Sequence, residues 1–134
     1  MAGLRLGMAF ADAYVIDLMN RVKYPYNISQ ATLEAASKAL EEPVQERVAE
    51  LVAQRRRLGD ALPLFPFVRK VWPSDANFLL VQVDDADKLY FHLLADGIIV
   101  RNRSRVPLCA GCLRFTVGSP SENDRLLASL SRYE

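Results

Sequence analysis

Histidine and tryptophan each occur once in these 134 residues, and cysteine only twice. Each scarcity removes a class of chemistry. A zinc site needs about four nitrogen or sulfur ligands, and His92 has no second histidine or cysteine pair to work with, so no metal site is expected. Cys109-Ala110-Gly111-Cys112 has the spacing of a redox pair or of half a zinc site, but nothing in the sequence completes it. Charge of one sign is also lacking: 17 Lys and Arg against 16 Asp and Glu leave a formal +1, which exerts no long-range pull on nucleic acid or an anionic membrane. No apolar run approaches the roughly 20 residues that span a bilayer. The apolar N-terminal stretch is broken by Arg5 and Asp12, against a signal peptide. These absences predict a cytoplasmic protein whose partners are small molecules or other proteins, with one core of ordinary size.

What is present reads as helices followed by a mixed segment. Leu4 to Ala11 reads as a short buried strand, and Asp12 as the N-cap of a helix to about Val22 with Ile16 and Met19 facing inward. Helical spacing recurs from Ser29 through Leu33, Ala36 and Leu40, and again from Val44 to Leu58, with Pro43 at a first helical position. Pro63 and Pro66 end the helical region. Val68 to Val71 and Phe78 to Val83 read as an antiparallel hairpin around Trp72-Pro73-Ser74-Asp75. A helix from Ala86 to Asp96 closes at Gly97. Ile98 to Val100 and Cys112 to Val117 are further strands, separated by an arginine-rich loop. Ser119-Pro120-Ser121-Glu122 is a capping box that opens a last helix to about Ser131. The order predicts a two-layer α/β (α+β) unit, a small, mostly antiparallel sheet with helices on one face.

Within Gly111-Cys112-Leu113-Arg114-Phe115-Thr116-Val117-Gly118, one arginine interrupts a strand that otherwise asks to be buried. A guanidinium there needs an anion: either a substrate carboxylate held by two parallel hydrogen bonds, or a structural ion pair under the sheet. Alternation puts Arg114 on the face opposite Leu113 and Phe115, away from the helices. Gly3-Leu4-Arg5-Leu6-Gly7 sets another arginine between glycines, where backbone can approach a phosphate; an ordinary charge would look the same. Arg101, Arg103 and Arg105 make their loop cationic. Arg55-Arg56-Arg57 wraps across helix faces beside Glu46 and Glu50 and reads as solvated surface, and Lys23, Lys38, Lys70 and Lys88 read as surface charges.

Gly3 to Gly7, Gly97 to Arg101 and Gly111 to Gly118, with Arg101 thirteen residues before Arg114, together resemble the C-terminal part of the histidinol-phosphate aminotransferases, pyridoxal-phosphate enzymes of the aspartate-aminotransferase fold. The resemblance implies that residues 1–22 are a remnant of a large cofactor-binding domain and that 23–134 form the small domain. It implies that Arg5 binds the cofactor phosphate, Arg114 the substrate α-carboxylate and Arg101 the substrate phosphate. Asn77, before its hydrophobic run, and Tyr26, in Pro25-Tyr26-Asn27, match family positions near the cleft; turn chemistry explains each as well. In the family a lysine bonds the cofactor and serves as base. Its place falls ahead of Met1, so no catalytic residue is assigned and the chain alone is expected to be inactive and to hold no cofactor. The intact family moves an amino group between glutamate and imidazole acetol phosphate in histidine biosynthesis, as a homodimer acting on a phosphorylated amino alcohol or amino acid. Here residues 1–22 are expected to self-associate. The alternatives are a piece of another class I/II aminotransferase or of a threonine-phosphate decarboxylase, and a non-catalytic amino-acid-binding or interaction domain.

Overall fold

A computed structural model of the chain describes residues 2–24 and 28–133. Two compact units divide it, residues 1–44 and residues 45–134.

In the first unit, Ala2–Leu4 is a single 3-10 turn, and residues 6–12 have no regular structure. The expected strand from Leu4 to Ala11 does not form. A strand needs a neighbour's hydrogen-bond ladder, and no described segment pairs with this one; Phe10 is 90% exposed. Helix α1, Ala13–Val22, starts at Asp12 as expected, with the Asp12 carboxylate accepting from the Tyr14 amide at 2.9 Å. It buries none of its residues, and Met19 is exposed rather than inward. Helix α2, Gln30–Glu41, is capped by Ser29 and buries only Ala36; Leu33 and Leu40 are exposed.

The second unit carries the sheet. Helix α3, Gln45–Ala61, begins two residues beyond Pro43, so the proline precedes the helix instead of occupying its first turn. Strands β1, Val68–Val71, and β2, Phe78–Val83, form the expected hairpin, with Ser74 Oγ tying its turn to the Phe78 carbonyl at 2.7 Å. Helix α4, Ala86–Ala95, closes on Gly97 (φ 72°): the Gly97 amide donates to Leu94 O and the Ile98 amide to Leu93 O. That pair of bonds is a Schellman closure. It takes the Ile98 backbone out of the sheet, so the expected strand over Ile98 to Val100 is replaced by β3, Arg101–Asn102. Strand β4, Cys112–Thr116, follows, and α5, Pro120–Leu130, opens with the complete Ser119–Glu122 capping box.

The sheet is antiparallel throughout, in the order β1-β2-β4-β3. One face packs Leu79, Val81, Leu113 and Phe115 against Leu58 of α3, Leu89 and Leu93 of α4, and Leu126 and Leu130 of α5. Burying each such side chain contributes about 1.5–3 kcal/mol. The two-layer arrangement read from the sequence is thus the one observed. Buried Asn123 donates to Gln54 Oε1 and Gly118 O, both at 3.0 Å, joining α5 to α3. Among the described residues, no helix is long and apolar enough to cross a membrane.

Candidate functional site

The sheet face without helices carries Phe78, Leu80, Cys112, Arg114 and Thr116, because residues two apart on a strand share a face. The register sets Arg114 opposite Leu80 on one side and opposite Arg101 on the other. Like charges directly across a strand pair repel. Arg103 continues the row: its amide donates to the Cys112 carbonyl at 2.8 Å, two residues along from the Arg101 pairing.

Arg114 is half-buried. Its guanidinium lies 4.9 Å from the centre of the Phe78 ring, and its Nε is buried without a hydrogen-bond partner among the described residues. Burial, then the neighbouring Arg101 and Arg103, hold its pKa below the ordinary guanidinium value. Such a desolvated cation is stabilised by any anion that reaches it. Of the two readings open at the sequence level, the structural ion pair finds no carboxylate on Arg114 among the described residues. The expectation that Arg114 points away from the helices holds, while Phe78 covers it more than a bare surface would.

Arg101 is exposed and Arg103 half-buried. Asn77 stands just ahead of β2, exposed, its carbonyl accepting from the Val117 amide at 2.9 Å, and so lies three residues from Leu80, the neighbour of Arg114. Tyr26 lies outside the described residues. Arg5 occupies a left-handed turn at φ 55°, is exposed, and makes no hydrogen bond or ion pair among the described residues. A Cβ at Gly3 or Gly7 would meet nothing within 4 Å. The glycines therefore leave open backbone around Arg5, suited to one end of an anionic group.

Phe78 was not singled out from sequence. Its place under Arg114 follows from a diagonal across the β2–β4 register, which no local pattern reveals. Arg103 had a readable signal, the two-residue spacing from Arg101 on an extended segment. His92 is structural: its Nε2 sits 3.0 Å from Ser129 O, and buried Ser129 donates from Oγ to Asp96 at 2.6 Å.

Pyridoxal phosphate, the cofactor implied by the resemblance, would find only part of its site here. Arg5 suits the phosphate end, but all four lysines are exposed on the surface. No cleft-facing lysine and no ring contact is offered by the described residues, so they do not make up a complete cofactor site.

The model of the family "Aminotransferase class I and II" matches residues 1–130. A histidinol-phosphate aminotransferase of Parabacteroides distasonis is 50% identical over 131 residues, covering 96% of this chain and 38% of that protein. One from Flavobacterium psychrophilum is 44% identical over 131 residues, covering 97% of this chain and 38% of that protein. The chain thus spans well under half the length of these relatives. The crystal structure of the histidinol-phosphate aminotransferase from Clostridium acetobutylicum superimposes with a TM-score of 0.77 over 87% of this chain and 36% of that one, at 24% identity, a likeness of fold.

Proposed function

The chain belongs to the class I and II aminotransferases, and from that premise we propose that its arginine face is the substrate-binding half of a histidinol-phosphate aminotransferase. In the whole enzyme this face serves amino transfer between glutamate and imidazole acetol phosphate, with pyridoxal phosphate as the electron sink. The observation that carries the reading is the buried Nε of Arg114, without a hydrogen-bond partner among the described residues, in a row of three arginines that share one sheet face.

Such a reaction brings two different anions in turn to one place, a carboxylate and a phosphate. Arg114, stiff on β4 and stacked on Phe78, offers a planar fork suited to a carboxylate. Arg101, exposed at the sheet edge, adds a second cation suited to a phosphate. Their mutual repulsion is relieved when an anion sits between them, so that part of the binding energy is set by the strand register before the ligand arrives. Asn77 is assigned to the rim of the same site, and Arg5, on the family resemblance, to the cofactor phosphate.

The chain alone supplies clamps without a covalent step, so it is expected to show no transamination when mixed with pyridoxal phosphate, glutamate and imidazole acetol phosphate. The test of the site is a thermal titration with histidinol phosphate. The melting temperature should rise with ligand in the unaltered chain, and the rise should vanish in Arg101→Ala, while a matching titration with glutamate should lose its rise in Arg114→Ala. Equal shifts in all three proteins would remove the arginine face from the proposal.

A further inference from the structure

We propose that Cys109 and Cys112 are a dithiol that a low-molecular-weight disulfide oxidises reversibly to an intramolecular disulfide within the folded chain, with Cys109 as the thiol that reacts first. Both cysteines are free thiols. The Cys112 amide donates to the Cys109 carbonyl at 3.0 Å, closing a four-residue turn with Gly111 at φ 69° in its third position. A turn closed in this way keeps its first and fourth Cα atoms within about 7 Å, and a disulfide accepts Cα separations of about 4.4–6.8 Å. The bridge therefore needs side-chain rotation and little backbone movement.

The turn is also pinned from outside. Cys109 donates its amide to Val106 O at 3.0 Å, Gln82 Nε2 donates to Ala110 O at 3.3 Å, and Val83 donates to Gly111 O at 2.9 Å. A Cβ on Gly111 would come within 3.1 Å of the Val83 carbonyl, so the chain passes here too closely for a side chain. Four hydrogen bonds, one within the turn and three from outside it, thus hold the two cysteines near one another.

The thiols differ in access. Cys109 is half-buried, whereas Cys112 is wholly buried, and burial followed by the neighbouring Cys109 raises the Cys112 pKa. Exchange begins at the thiol that is accessible as thiolate. Deprotonated Cys109 attacks one sulfur of the small disulfide, forming a mixed disulfide and releasing one small thiol. Cys112 then gives up its proton and attacks the Cys109 sulfur, closing the internal bridge and releasing the second small thiol. The protein loses two protons and two electrons, and the small disulfide gains them as it becomes two thiols. A metal in place of the bridge would need more ligands, and the described residues hold no group of three His, Cys, Asp or Glu suited to one.

The test is incubation of the folded chain with oxidised glutathione, acid quenching, denaturation, alkylation with a maleimide, and intact mass. The expected product is a single chain that takes up no maleimide, carries no glutathione and weighs less by two hydrogens, with unchanged far-ultraviolet circular dichroism; dithiothreitol should restore both thiols. Cys112→Ser should stop at glutathione on Cys109, and Cys109→Ser should stay unmodified until denatured. The unaltered chain decides the matter even if a variant fails to fold. A product that stays reduced, that keeps glutathione on Cys109, that links two chains, or that loses its helical signal on oxidation would overturn the proposal. Modification of folded Cys109→Ser would overturn the order of attack.

Discussion

Arg101 and Arg114 are register partners across β3 and β4, two cations set directly opposite each other at the sheet edge. Arg103, on the same row, adds to the positive potential at Arg114. A pairing of this kind costs stability, and an arriving anion offsets the cost.

Replacing Arg114 by alanine should therefore change the unfolding free energy by less than about 0.5 kcal/mol, since relief of repulsion offsets the roughly 0.5–1 kcal/mol of the Phe78 contact. Breaking a buried ion pair would instead cost about 3–5 kcal/mol. Urea unfolding of the two proteins distinguishes the outcomes. Phosphate should stabilise the unaltered chain more than chloride at equal ionic strength, and this difference should shrink in Arg114→Ala.

Two glycine substitutions should act in opposite directions. Gly59 lies in α3 with open space around its Cβ position, so Gly59→Ala should stabilise by about 0.5–1 kcal/mol. Gly111 has φ 69° and the Val83 carbonyl 3.1 Å from its Cβ position, so Gly111→Ala should destabilise by about 1–3 kcal/mol. Denaturation midpoints of both variants check the pair.

Asp96 predicts an acid limb. The Ser129 hydroxyl, then Arg132, hold its carboxyl below its ordinary pKa of 3.8. A folded-state pKa below the unfolded one means that the ionised carboxylate stabilises the fold above the ordinary value, and that this stabilisation is lost as pH falls through the folded value. Asp96→Asn should be less stable than the unaltered chain near neutral pH, and the gap should close as pH drops from about 5 toward 2. Urea midpoints across that range measure it, and a gap independent of pH would assign the loss to packing.

The first unit predicts self-association. Phe10, Tyr14 and Val22 are 90%, 70% and 86% exposed, and apolar surface of this extent favours contact with another chain. Sedimentation should show mass rising with concentration, and removing residues 1–22 should abolish the rise. A strictly monomeric chain at high concentration would contradict it.

Much of the second unit was legible from local chemistry. The strands Val68–Val71 and Phe78–Val83, the Gly97 closure and the Ser119–Glu122 box each follow from alternation, a left-handed glycine or a side chain that caps its own helix. Such signals act over a few residues, so a linear reading finds them. The segment Leu4 to Ala11 misled because a largely apolar run states only a readiness to be buried and paired, and the described residues contain no partner strand for it.

The candidate site divides along the same line. That Arg114 needs an anion, and that it faces away from Leu113 and Phe115, follows from the sequence by itself, because a guanidinium among buried residues and a two-residue period are both local facts. That Arg101 and Arg103 stand beside it, that Phe78 lies against it, and that Ile98 to Val100 leave the sheet were decided only by tertiary structure. Each depends on strand register and on a helix end competing for the same backbone amide, which are relations between distant parts of the chain.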